Sequence, residues 1–118
     1  MSVRNIITVI LIGMDIENYP IKLNNIKFHT IIFKYTKEYP KLFKEFMFDN
    51  NGPFPYCEQI DEILSTYRYS GVMDIHNGKD CFISGQNKRF AERIKQEMSP
   101  IIYNKLIKIG KKECLNFR

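Results

Sequence analysis

Three carboxylates, Glu58, Asp61 and Glu62, stand at i, i+3 and i+4, a spacing that gathers side chains on one helix face. Such a group has the oxygen chemistry for a divalent cation, but no histidine or fourth carboxylate stands near it. Acidic residues at a helix start are also favoured by the helix dipole, so a solvated face suffices. Cys57, Cys81 and Cys114 are odd in number, widely spaced and lack a Cys-x-x-Cys pair. That pattern argues for a reducing compartment and against a disulfide framework. Zinc would require these cysteines to meet His29 or His76 from distant positions, so no metal and no cofactor is expected. His29 lies in an apolar stretch, as a satisfied core histidine does, and Asp74 with His76 has no nucleophile beside it. No catalytic residue is expected, and the chain reads as a non-enzyme.

What remains is charge. The 118-residue chain carries +5 overall, unevenly spread. Residues 1–50 hold seven basic and five acidic side chains, residues 51–84 two and five, and residues 85–118 nine and three. A basic end suggests phosphate or another acidic partner, set against the plainer reading of a lysine-rich solvated face. Its densest cluster is Lys88, Arg89, Arg93 and Lys95, to which Lys79 adds one charge from a neighbouring turn. These five are the candidate nucleic-acid contacts. The acidic stripe of Glu58, Asp61, Glu62, Ser65 and Tyr69 would repel phosphate, and suits instead a protein partner with a basic face. Nine phenylalanines and seven tyrosines indicate core packing first and base stacking a distant second.

The elements that position these residues follow from periodicity and punctuation. Ile6–Met14 is strongly apolar but too short to span a bilayer, which takes about 20 residues. Asp15-Ile16-Glu17 follows it without a cleavage site of small residues, so a buried first helix is expected in place of a signal peptide, although the β-branched content of Arg4–Met14 also suits a buried strand. Phe28, Ile31, Ile32, Tyr35 and Tyr39 mark a second helix, with Asn24 or Asn25 near its start and Pro40 just beyond it. Phe43–Phe48 is expected to be irregular and to pack over the core. Ile60, Ile63, Leu64 and Tyr67 follow i, i+3, i+4, i+7, the template of one buried helix face, which Gly71 ends. Asn77-Gly78 is a hairpin signal between Val72–His76 and Lys79–Ser84. Ser84 opens a helix bearing Phe90, Ala91, Ile94 and Met98, and Ser99-Pro100 opens a last one that stops at Gly110. The predicted core joins Phe28, Ile31, Ile32, Ile60, Ile63, Leu64, Tyr67, Phe90 and Ile94.

Gly52-Pro53, the helix, Ser70-Gly71-Val72, the hairpin and Ile83-Ser84-Gly85-Gln86-Asn87-Lys88-Arg89-Phe90-Ala91 together resemble the winged-helix pattern of small prokaryotic, archaeal and phage regulators. Pro20-Ile21 followed by Leu23–Phe33, and Gly52-Pro53-Phe54-Pro55-Tyr56, resemble SocA-like phage-associated antitoxins. The chain departs from the pattern at Cys57, where a serine cap is usual, and at Asn87, where glycine is common. No catalytic residue follows from the resemblance. The expected fold is mainly α with a small β-hairpin, a winged helix-turn-helix with extra C-terminal helices. It would span residues 1–110 as one domain, with 111–118 a loose tail. The expected function is that of a cytoplasmic DNA-binding regulator without a membrane role, homodimeric through Ile102, Leu106 and Ile109, or with this stripe folded back over Phe43–Phe48 within one chain. The alternative is a protein-interaction module, antitoxin-like or adaptor, using the acidic 58–69 face.

Overall fold

The first helix, α1 (Val3–Asp15), is apolar on every side and is buried accordingly. Ile6, Ile7, Val9 and Ile10 have no solvent exposure, and Thr8 among them is equally buried. Thr8 avoids an unsatisfied hydroxyl by donating to the Arg4 carbonyl at 2.6 Å, and its Oγ1 also lies 2.6 Å from the Tyr67 hydroxyl. A computed structural model describes residues 2–15, 23–76, 79–82 and 88–117, and within it several of the other elements pack on α1.

Four further helices follow: α2 (Asn25–Glu38), α3 (Glu58–Ser70), α4 (Lys88–Gln96) and α5 (Pro100–Glu113), with a 3-10 turn at Cys114–Phe117. Their ends carry local chemical causes. Asn24 caps α2 by accepting from the Lys27 N–H at 3.0 Å, and Ser99 caps α5 by accepting from the Ile102 N–H at 3.2 Å. Pro100 opens α5 where a missing N–H costs nothing. Gly71 ends α3 at φ 83°, the left-handed conformation that glycine adopts without strain.

The closest helix pair is α1 against α5. Gly13 and Gly110 face each other there, and neither position has room for a methyl group. A Cβ on Gly13 would stand 2.5 Å from the Ile107 carbonyl oxygen, and one on Gly110 would fall on the Ile10 carbonyl oxygen. α3 and α4 also pack on α1, so a single apolar cluster draws on all five helices through Ile6, Phe28, Leu64, Ile94 and Leu106. Of the predicted core, Phe28, Ile32, Ile60, Leu64, Tyr67 and Ile94 are buried, while Ile31, Ile63 and Phe90 are partly buried against it.

The expected fold class is corrected. The chain is a helical protein organised on the α1–α5 pair, not a winged helix-turn-helix. A helix-turn-helix joins its two helices by a turn of about three or four residues. Here the whole of 39–57 separates α2 from α3, in turns, bends and one isolated bridge between Asp49 and Tyr56. Two four-residue strands, β1 (Met73–His76) and β2 (Lys79–Phe82), pair antiparallel with Met73 opposite Phe82. These two strands form a two-stranded sheet, and β2 lies against α1. Asn77-Gly78 and Ser84 lie outside the described residues.

Two further expectations change. Gly110 does not stop α5, which continues to Glu113 with Gly110 inside it as the crossing point. Nor is the end of the chain a loose tail: Cys114 and Phe117 are buried, and the Phe117 ring lies 6.3 Å from that of Phe28.

Candidate functional site: a lysine-lined groove

On α5, Ile101, Lys105, Lys108 and Lys112 are spaced four, three and four apart, so they form one stripe along the helix. Facing this stripe is the end of α2 and the turn after it, from Glu38 to Glu45. The two walls enclose three adjoining hollows of about 500, 310 and 390 Å³, and Lys105 borders all three. Pro40 causes the opposite wall: it ends helical continuation and turns the chain back, which places Lys41 and Lys44 across from α5.

The groove is basic with an apolar floor. Five lysines line it (Lys41, Lys44, Lys105, Lys108 and Lys112) against two carboxylates, Glu38 and Glu45. All five lysines are exposed. Among the described residues the lysine that holds a carboxylate is Lys34, 3.2 Å from Glu113 Oε1, and the groove lysines hold none. Lys105 Nζ lies 4.6 Å from the centre of the Tyr39 ring, whose plane is parallel to that of Tyr35. Ile101, at the mouth, is 79% exposed.

One buried carboxylate anchors this region. Glu113 accepts from the Tyr35 hydroxyl at 2.7 Å and from Lys34 Nζ, while its other oxygen accepts from Asn116 Nδ2 at 2.8 Å. Burial, then the bond and the negative charge of Glu113, push the Tyr35 phenol well above its usual range. These bonds fix the end of α5 to α2 and hold the two groove walls in place.

No family model matches this chain, and no curated protein or solved structure does. The chemistry must therefore come from the residues themselves.

The structure divides the sequence-predicted residues into three regions. Arg89, Arg93 and Lys95 are exposed on α4, and Lys95 Nζ sits 5.4 Å from the Tyr103 ring centre. At 100° per residue Tyr103 lies on the opposite side of α5 from the Ile101–Lys112 stripe, so the α4 cluster and the groove are separate. Lys88 begins α4 and Lys79 begins β2 opposite His76, but their side chains lie outside the described residues. On α3, Glu58, Glu62, Ser65 and Tyr69 form an exposed stripe, with Tyr69 97% exposed. Ile102, Leu106 and Ile109 do not form a free apolar face: Leu106 and Ile109 are buried and Ile102 is half-buried within the one chain.

Asp61 leaves the α3 stripe because it serves His29. His29 Nε2 lies 2.9 Å from Asp61 Oδ1, and its Nδ1 accepts the Cys57 backbone N–H at 3.0 Å. The ring stacks on Tyr56, 5.2 Å between centres, and meets Phe54 edge-on. Cys57, histidine and aspartate thus converge without forming a nucleophile–base pair. The Cys57 thiol is buried, burial pushes its pKa up, and its Sγ donates to Gln59 Oε1 at 3.4 Å. The cluster clamps α2 to the start of α3, which lacks a side-chain cap. No group of three or more potential metal ligands occurs among the described residues. No helix among them is long and apolar enough to cross a membrane.

The groove escapes a sequence reading because Lys41 and Lys44 meet Lys105 only through the fold. A lysine at every third or fourth position of the last helix is the part of its signal present in the sequence.

Proposed function

We propose that this chain is a non-enzymatic binding protein whose α5 groove receives nucleic acid. The observation that carries the proposal is the set of five exposed lysines around one concave surface, uncompensated but for Glu38 and Glu45. Lysines so placed neutralise phosphates and release counterions, which gives affinity that falls steeply with salt. Arg89, Arg93 and Lys95 add a second basic patch on α4. The test is anisotropy of a labelled mixed-sequence oligonucleotide titrated at several salt concentrations. Lys105→Gln with Lys108→Gln is expected to weaken binding several-fold and to reduce the salt slope by about 1.4–1.8, at roughly 0.7–0.9 for each phosphate no longer neutralised. Binding left unchanged in that variant removes the groove from consideration.

A second reading is favoured by a different observation. The Glu58, Glu62, Ser65 and Tyr69 stripe is open to solvent and carries a fully projecting aromatic. Tyrosine beside carboxylates suits a basic protein partner, the adaptor or antitoxin-like class. Tyr69→Ala would abolish such an interaction and leave nucleic-acid binding unaltered.

A further inference from the structure

The groove holds more apolar surface than phosphate binding needs. Lysines on a flat or convex surface suffice for a duplex, whose base faces are stacked inside and which offers a protein only its backbone and the base edges in its grooves. Here the lysines stand on the rim of hollows floored by Tyr39, Leu42 and Ile109, with Ile101 uncovered at the mouth. A rim of cations over an aromatic and aliphatic floor is the arrangement that takes a backbone along the edge and unstacked bases inside.

Building on the nucleic-acid reading, we infer that the groove is selective for single-stranded nucleic acid, with phosphates on Lys105, Lys108 and Lys112 and a base over Tyr39 and Ile101. Lys105 to Lys112 rises about 10 Å along α5 at 1.5 Å per residue, so the three cations form a line that a strand's backbone can follow. Lys105 Nζ, which covers the Tyr39 ring at 4.6 Å, has a flexible stem and a hold on that ring weak enough to exchange for a phosphate and a base. Glu38 and Glu45 lie beside the turn wall, so the strand's backbone follows the α5 side. The chemistry shared by single-stranded DNA and RNA is all that the floor and rim require.

The experiment compares labelled oligothymidine, oligouridine and a mixed-sequence duplex of equal length on the full chain at low salt. Single strands are expected to bind at least about tenfold more tightly than duplex. Tyr39→Leu is expected to weaken single-strand binding by about 5- to 100-fold, the range for one lost base–aromatic stack, and Ile101→Ser, which removes an apolar contact, by about a few-fold, each with little change in salt slope. Ile101 is exposed, so its replacement leaves the fold intact even if Tyr39→Leu loosens the Tyr35 stack; circular dichroism verifies both. Equal affinities for oligothymidine and oligouridine, or a preference for either, are alike compatible with the inference and say which strand the floor fits better. Duplex bound as tightly as single strands, or single-strand affinity indifferent to Ile101→Ser, overturns the inference and leaves the broader reading standing. No binding of any oligonucleotide at low salt overturns both.

Discussion

His29 has both ring nitrogens committed, one to Asp61 and one to the Cys57 backbone N–H, and the ring is 1% exposed. Removing it leaves the Cys57 N–H buried without an acceptor, which costs about 1–3 kcal/mol before any loss of packing. His29→Ala is therefore expected to destabilise the chain by about 2–4 kcal/mol in urea titration. Asp61→Ala is expected to cost less, because Asp61 is one-third exposed and water replaces it at Nε2. Buried hydroxyls and a thiol set the alkaline limit. Burial raises the pKa of Tyr35, Tyr67 and Cys57, with Glu113 adding to the effect at Tyr35. A raised value means that the protonated form favours the fold. Its stabilisation is complete below the unfolded-state pKa and is lost as pH climbs from there through the folded value. The denaturant midpoint is thus expected to hold through neutral pH, to begin falling above about 8.5 as Cys57 contributes, and to fall more steeply above about 10. Cys57→Ala should remove the earliest part of that decline. A midpoint that is flat to pH 11 would contradict it.

Helices are legible in this chain because their signals are local. Asn24, Ser99-Pro100 and Gly71 each act within one turn of their own position, and each marks a boundary where the structure has one. Relations between helices are not legible in the same way. A turn, a helix and an Asn-Gly pair in succession describe the punctuation of a winged helix, but a helix-turn-helix is defined by how its helices meet, which no local residue specifies. Gly110 shows the limit most clearly. As a glycine near a helix end it resembles a stop, whereas its absent side chain serves the backbone of α1. That distinction is measurable. Alanine favours an exposed helix interior over glycine by about 1 kcal/mol, so a merely helical glycine would gain from the change. At the crossing the added methyl meets backbone, which cannot rotate aside, and overpacking costs about 1–3 kcal/mol or more. Gly110→Ala is expected to destabilise despite the helical gain, by about 2 kcal/mol net at the upper end of that cost. Gly52→Ala, with open space around the new methyl, is expected to change stability by less than about 0.5 kcal/mol. Equal effects at the two sites would mean that the backbones of α1 and α5 do not touch. The groove shares this dependence on relations: its lysines are visible in the sequence, but their convergence on Tyr39 is a property of how α5 lies against the turn after α2.

Over the whole molecule, the apolar side of α5 is spent within one chain, which separates two outcomes for Leu106→Glu. At a dimer interface that change would give a folded monomer. Buried against α1, with Leu106 at 0% exposure, it forces an unpaired charge into the core and is expected to abolish the cooperative unfolding transition seen by circular dichroism. A well-folded Leu106→Glu protein of half the wild-type mass would restore the interface. The same arrangement sets the schedule of synthesis. Of the five helices α1 leaves the ribosome first, and it is the one with the least polar surface to show water. Its tightest neighbour, α5, is the last of the five to emerge, so the Gly13 side of α1 stays uncovered until nearly all of these residues are out. At roughly 5–20 residues per second that interval lasts several seconds, far longer than collapse takes. A chain that ends before α5 is consequently expected to aggregate rather than to form a smaller folded protein, which light scattering of the fragment checks.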